Sequence, residues 1–388
     1  MKYDKRGVSA DKSDVHAAIK GLDKGLYPNA FCKILADFVG NDPAYCNIMH
    51  ADTAGTKTSL AYLYWRETGN LDIWKNIIQD ALVMNLDDLA CVGLTSNFVV
   101  SSTIGRNKRL ITGEVVAALI QGASAFAAQM HALDIELHLA GGETADVGDI
   151  VRTVDVGFTV FGRLRRNQIL ENNIQAGDVI VGLSATGQAS YETAYNSGIG
   201  SNGLTSARHD ALSHYYAHRF PESYDAKMPD DVAFIGSRRL TDTFIYQNKN
   251  YTVGDLLLSP TRTYLPVLRD IFVELHPHLH GVIHCSGGGQ TKVGHFQNDQ
   301  THIIKDNLFA LPPVFALLQT EGNTAWSEMY KVFNMGHRLE VYLSEAHAQP
   351  VIAIAKKYNI DAQIVGRVEP LSEGKRITIR SEFGEFVY

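Results

Sequence analysis

Strand-like and helix-like segments alternate through the first 165 residues, and short acidic or glycine-bounded motifs stand where one gives way to the next. Residues 45–51 read as a strand that ends at Asp52 and runs into a turn at Thr53, Ala54 and Gly55. Residues 58–67 then have helical character. Apolar residues at 77, 78, 81, 82, 86 and 89 recur at helical spacing. Asp80 and Asp87 fall near one face of that helix, two turns apart, with Asp88 just off it. Residues 112–132 predict a long alanine-rich helix, and 135–139 a short strand leading into a Gly141-Gly142 turn. A further strand is expected over 154–161. Such interleaving restricts the chain to an α/β or α+β fold, with its chemistry at element ends.

At 388 residues, two domains are expected rather than one core. The polar stretch after Arg163 reads as a junction, because Asp178-Val179-Ile180-Val181 opens a second set of strands. The boundary is therefore set near Arg165, giving domains 1–165 and 166–388. Residues 209–250 are polar and aromatic and read as an insertion. The net charge of −7 argues against broad nucleic-acid or membrane binding. No apolar run is long enough to cross a bilayer, and the opening residues lack the apolar core of a signal peptide. Four scattered cysteines form no Cys-x-x-Cys pair and fit a reducing cytoplasm.

The acidic motifs carry the functional signal. They read Asp52-Thr53-Ala54-Gly55-Thr56-Lys57, then Asn85-Leu86-Asp87-Asp88-Leu89, then Gly141-Gly142-Glu143-Thr144-Ala145-Asp146. Carboxylates gathered in one cleft repel unless a cation sits among them, and Mg²⁺ takes a few carboxylates together with phosphate oxygens. Each motif also has a plainer reading. Gly55-Thr56-Lys57-Thr58 lacks the spacing of a Walker loop and alone would be a structural turn. The aspartates on the helix alone would be a solvated edge, and Gly141-Gly142 alone a turn. Ser286-Gly287-Gly288-Gly289 is as readily a flexible turn as a phosphate cradle. The histidines are given no role. From the residues alone, the chain is a two-domain protein with an expected Mg²⁺–phosphate site.

Taken in order, the motifs resemble the aminoimidazole ribonucleotide synthetase, or phosphoribosylformylglycinamidine cyclo-ligase, family nearly end to end. Tyr3-Asp4-Lys5-Arg6-Gly7-Val8 resembles its Y-x-x-x-G-V opening. Residues 52–57 resemble D-G-V-G-T-K, and 141–146 resemble G-G-E-T-A-E. Ser201-Asn202-Gly203, residues 258–264, residues 286–289 and residues 328–336 resemble S-N-G, L-x-P-T-R-x-Y, T-G-G-G and E-M-Y-x-x-F-N-x-G. The resemblance implies an α+β amino-terminal domain whose mixed sheet and helices form a barrel across a homodimer, and an α/β carboxy-terminal domain. It implies ATP-dependent ring closure of formylglycinamidine ribonucleotide to aminoimidazole ribonucleotide in purine biosynthesis. Carried over by position, Asp52, Asp80, Asp88 and Glu143 would hold Mg²⁺. Lys57, Asp52 and Glu143 would be the catalytic set. Thr56, Lys57, Gly141, Gly142 and Thr144 would bind ATP, and Ser201 and Asn202 the substrate. Asn334 and Gly336 would be structural or line the second-domain part of the cleft.

The chain also departs from the pattern. Residues 25–31 replace a glycine-rich segment, and Ser101 or Ser102 stands for an acidic residue. Gly200 replaces a histidine, after an extra stretch over roughly 189–200. Acid–base work of that histidine would fall to Tyr191, Glu192 or another residue. His337-Arg338 replace small residues, and Arg338 is either a phosphate ligand or a surface charge. The departures read as a divergent branch. Two alternatives keep the nucleotide site: phosphotransfer to another small acceptor, as in selenophosphate synthetase or thiamine-phosphate kinase, and a non-catalytic nucleotide-binding partner.

Overall fold

Two β-sheets divide the chain in the computed structural model, which describes residues 2–9 and 13–388. Two short helices, α1 (Lys2–Lys5) and α2 (Ser13–Ile19), precede the first sheet. That sheet comprises β1 (Ile34–Ala36), β2 (Tyr45–Thr53), β3 (Phe98–Arg106), β4 (Leu137–Asp146) and β5 (Val154–Arg165), ordered β1-β2-β5-β3-β4. Only the β3–β4 pair is parallel. Three helices pack on one of its faces: α3 (Lys57–Thr68), α4 (Ile73–Ala90) and α5 (Gly113–His131).

The second sheet begins at β6 (Asp178–Ser184) and adds β9 (Leu279–His284), β10 (Thr301–Lys305), β11 (His337–Ser344), β12 (Ala362–Pro370), β13 (Lys375–Ser381) and β14 (Gly384–Val387). Its order is β14-β13-β10-β12-β6-β11-β9. Residues 209–250 hold the end of α6 (Leu204–Ala211), all of α7 (Tyr215–Arg219) and most of a hairpin, β7 (Thr243–Tyr246) and β8 (Lys249–Thr252). Helices α8 (Val253–Leu258), α9 (Leu265–Leu275), α10 (Pro313–Gly322), α11 (Trp326–Val332) and α12 (Ala348–Lys357) complete the domain. Both domains mix helix and sheet, as the α/β (α+β) expectation requires.

Helix α4 positions everything else. It is buried almost all round, because it packs on β2 and β5 on one side and on α9 of the second domain on the other. A helix apolar on every side except for a few aspartates belongs in a core, not on an edge. The solvated-edge reading of Asp80 and Asp87 is therefore excluded: both are fully buried. Gly141-Gly142 also differs from expectation. The pair lies inside β4, not in a turn, where the β3–β4 register shifts between Val100 and Ser102. A side chain at 142 would collide with Ser102, so glycine permits close strand approach there.

The amino-terminal segment is tied to the second domain. Arg6 is buried, bonding to Asp210 at 2.7 Å and to the Val232 carbonyl at 3.0 Å. Phe31 stacks on Phe296 at 4.8 Å, so the segment that replaces the glycine-rich stretch is docked against the second domain. The second core holds a fully enclosed ionic group in which Glu340 takes Lys305, His337 (2.9 Å) and the Tyr342 hydroxyl (2.7 Å). Burial opposes the Glu340 charge, but Lys305 and His337 outweigh it and hold the carboxyl down to about 2.

Burial, together with Arg208 and Arg6, pushes the His209 imidazole down to about 2. Its Nδ1 accepts the Phe234 N–H at 3.0 Å, so the ring is neutral in the fold. Below the ordinary histidine pKa of about 6.5, the unfolded chain takes up a proton that the folded chain refuses. Stability is therefore expected to fall on acidification between about pH 6.5 and 2, with this group contributing up to about 1.4 kcal/mol per pH unit. Urea titrations of wild type and His209→Gln across that range check it, and the variant should show a shallower slope.

Candidate active site between the domains

Two aspartates of α4 grip one extended segment of the second domain. Asp80 accepts the backbone N–H of Thr261 at 2.8 Å and also its hydroxyl. Asp87, two turns on, accepts the Thr263 hydroxyl at 2.7 Å and the Tyr264 N–H at 3.1 Å. The Pro260–Tyr264 motif is thus held by carboxylates of the other domain, and α9 starts immediately after it. Burial pushes both carboxyls up, against the opposing pull of Lys57 on Asp80 and of His284 and Arg338 on Asp87.

Lys57, in the first turn of α3, closes the same knot. Its ammonium is fully buried and donates to Asp80 at 2.7 Å, to the Gly200 carbonyl at 3.0 Å and to the Ser259 carbonyl. Burial pushes the Lys57 pKa down, and Asp80 opposes that shift. This geometry changes the expected roles of both residues. The Lys57 ammonium has three protein acceptors and meets no open space where a phosphate would sit. Asp80 is fully buried, with Oδ1 taking Lys57 and Thr261 while Oδ2 has no hydrogen-bond partner.

Asp88 lies one residue off this face and has a different environment. Its Oδ1 pairs with His284 Nδ1 at 2.6 Å and its Oδ2 with His50 Nε2 at 3.4 Å. Burial alone would raise the Asp88 carboxyl, but His284, His50 and Lys292 hold it below the ordinary range. His50 stands two residues before Asp52 on β2, so both point to the helix side of the sheet. Asp52 is solvent-exposed at the end of that strand.

Glu143 does not join them. Strand register aligns Thr53, Gly157, Thr103 and Glu143 in one row, three strand steps across, or about 14 Å. Asp52 belongs to the neighbouring row with Phe158, and its side chain therefore points to the opposite face from Glu143. Among the described residues, no three His, Cys, Asp or Glu side chains converge on a metal position. The four carboxylates thus do not converge within one chain: Asp80 is buried in the knot, Glu143 faces away, and both oxygens of Asp88 are taken by His284 and His50. Gly141, Gly142 and Thr144 line a groove with Ile78, Leu119 and Phe158 that carries no charged side chain. They are not brought to the Gly55 turn.

The nucleotide turn and the substrate segment do meet. The Ser201 hydroxyl donates to the Ala54 carbonyl at 2.9 Å, and Thr56 Oγ1 lies 2.8 Å from Thr205 Oγ1. Asn202 donates to Met84 Sδ of α4 at 3.5 Å. A narrow cleft opens here, lined by Gly200, Ser201, Asn202, Ser286, Asn334 and Arg338 among others. Asn334 is both structural and lining: its amide donates to the Gly198 carbonyl at 2.8 Å while its oxygen accepts the Gly336 N–H at 3.0 Å.

The extra stretch has a defined task. Glu192 forms a two-point ion pair with Arg262 at 2.6 and 3.0 Å, and also takes the Ala189 N–H and the Asn196 amide. Tyr191 donates to the Thr263 carbonyl, and burial pushes its phenol well up. Neither residue is available for acid–base work. Sequence reasoning missed His50 and His284, named Glu192 only as an acid–base candidate, and placed Arg262 only within the 258–264 motif. His284 did carry a signal, since it ends a strand directly before Ser286-Gly287-Gly288-Gly289.

Comparison with known proteins follows the same division. The family model "AIR synthase related protein, N-terminal domain" matches residues 36–164, and "AIR synthase related protein, C-terminal domain" matches residues 175–378. The chain belongs to the AIR synthase related family. It is 31% identical over 291 residues to the phosphoribosylformylglycinamidine cyclo-ligase of Methanocaldococcus jannaschii, covering 74% of this chain and 70% of that one. The cyclo-ligase of Methanosarcina mazei is 27% identical over 328 residues, covering 84% and 80%. Identity at this level marks a divergent member. A solved HypE–HypF complex shares the fold, with a TM-score of 0.55, 12% identity, and 97% and 98% of the two chains covered.

Replacing Asp80 by Asn is expected to leave the Lys57 ammonium buried without its counter-charge and to cost about 3–5 kcal/mol. The double variant Lys57→Met/Asp80→Leu should recover most of that loss. Chemical denaturation of the two single variants and the double variant measures both.

Proposed function

We propose that the chain catalyses ATP-dependent ring closure of formylglycinamidine ribonucleotide to aminoimidazole ribonucleotide. The observation that carries this reading is the contact between the Ala54–Thr56 turn and Ser201–Thr205. Segments joined by contacts 147 and 149 residues apart, one suited to a nucleotide and one to a phosphorylated substrate, meet at one cleft, and cyclo-ligases match the chain over most of its length.

The reaction transfers the γ-phosphoryl group of ATP to the formyl oxygen. An amidine nitrogen then attacks the activated carbon, the C–O bond breaks, and inorganic phosphate leaves with ADP as the other product. Such chemistry is mostly positioning and charge stabilisation. The positive dipole end of α3 lies at the Gly55 turn, whose carbonyl takes the Thr58 N–H, and its field there suits phosphate oxygens. Lys57 contributes field, not contact, from behind that turn. Ser201 and Asn202 border the acceptor side.

Mg²⁺ is taken here as part of the nucleotide substrate, where it offsets phosphate charge. The residues do not build a resident metal site. Asp52, exposed on the helix side of β2, is the carboxylate of this set placed to face a nucleotide-borne ion.

The reading includes a homodimer. Among the described residues, nothing covers the Met49–Val99 part of the first sheet's face opposite the helices. Met49, Phe161 and Val99 share one row on it, and Met49 and Val99 are 61% and 42% exposed. Glu143 lies on the same face. A second copy would cover this apolar row, as β-sheet faces require. Four unpaired, buried cysteines fit a cytoplasmic location.

The purified chain, given formylglycinamidine ribonucleotide, ATP and Mg²⁺, should form aminoimidazole ribonucleotide with one ADP and one phosphate per turnover. Nucleotide binding without product would refute the cyclo-ligase reading. Asp52→Asn is expected to lower kcat by about tenfold or more with a near-normal melting temperature. In sedimentation, wild type should run as a dimer, and Met49→Glu/Val99→Glu should run as a monomer.

A further inference from the structure

The cleft bordered by Ser201 and Asn202 contains a buried cation that the proposed reaction has not yet used. Arg338 starts β11 next to His337 and is 2% exposed. One guanidinium nitrogen, Nη2, donates to the Arg262 carbonyl, and the group lies over the Tyr264 ring at 5.3 Å. Its nearest carboxylate is Asp87, at 3.7 Å, beyond hydrogen-bond reach and with its oxygens already committed to Thr263 and Tyr264. Arg338 Nε is buried with no hydrogen-bond partner. An unfilled donor on a buried guanidinium is costly unless a ligand fills it.

The neighbours point to the class of that ligand. Ser201, Asn202, Ser286 and Asn334 contribute hydroxyls and amides, and no carboxylate lines the cleft. The other nearby cations are spoken for: Arg262 by Glu192, and Lys57 by Asp80. Gly200 has φ +69°, and a Cβ there would stand 3.5 Å from Arg338 Nη1. Gly200 thus lies against the guanidinium, and a side chain longer than alanine there would press on it. Asp87 balances part of the Arg338 charge from behind at 3.7 Å, the Ser201 and Asn334 donors already have protein acceptors, and the unfilled donor on a guanidinium fork beside a cleft without carboxylates suits a phosphomonoester.

We infer that Arg338 binds the phosphomonoester of the ribonucleotide substrate, in the cleft lined by Gly200. The inference rests on the reaction proposed above and assigns the substrate's phosphate, not the nucleotide's, to this side chain. The position excludes the surface-charge reading of Arg338.

Ribose 5-phosphate serves as a probe that needs no turnover. Calorimetry should detect its binding to the wild-type protein, whereas ribose should not bind. No binding of ribose 5-phosphate at concentrations up to about 1 mM, the top of the usual KM range, would overturn the inference by itself. Two variants follow: Arg338→Met, and Arg338→Gln, which keeps a donor for the Arg262 carbonyl if the first does not fold. Each folded variant should lose ribose 5-phosphate binding and raise KM for the ribonucleotide by about tenfold or more, with KM for ATP within about twofold. A folded variant with wild-type ribose 5-phosphate affinity and KM would refute it, as would a loss confined to ATP. A wild-type chain that binds ribose 5-phosphate through Arg338 yet forms no product would sink the cyclo-ligase reading and leave the anion site standing.

Discussion

The hold of α4 on the Pro260–Tyr264 segment is the interaction on which the rest depends. A carboxylate buried without partners is prohibitively expensive, so Asp80 and Asp87 can enter the core only if hydroxyls, backbone N–H groups and a cation meet them there. Thr261, Thr263, the Tyr264 N–H and Lys57 supply that set. Three of these partners come from the second domain, and thus the cost of the charges is recovered only when the domains are docked in one arrangement. Buried polar groups of this kind add little net stability but penalise every other docking geometry.

The same knot sets the cleft. Lys57 joins the end of the Gly55 turn to the Gly200 carbonyl, and from there the chain continues directly into Ser201 and Asn202. The Glu192–Arg262 pair braces the gripped segment from its other side. Between these fixed points the cleft is narrow, carries Arg338 on its wall, and borders the first turn of α3. The arrangement separates two jobs that the motifs alone would merge: buried charges that position the domains, and accessible donors that face a ligand.

Much of the architecture was legible in the residues. The 45–53 strand, the 57–68 helix and the 113–131 helix follow from local periodicity, and the α4 period was plain. Misreadings arose where long-range contacts decide. Gly141-Gly142 has the composition of a turn, yet pairing with β3 draws it into a strand with a register shift. The aspartates of α4 have the composition of a metal cluster, yet Lys57, Thr261, Thr263 and His284 reach them first. Glu143 shares a motif pattern with Asp52, but strand register directs the two to opposite faces of the sheet.

The sequence by itself determined the class of fold, the family and the segments that border the cleft, because these rest on local periodicity and on ordered motifs. Tertiary structure alone decided which charged groups are free to act. Lys57 and Asp80 pair with each other, Glu192 immobilises Arg262, and Arg338, on the cleft wall, keeps a buried Nε without a partner. Pairing between residues 23 to 143 positions apart depends on how sheets and helices dock, and no local pattern encodes which carboxylate will reach which cation.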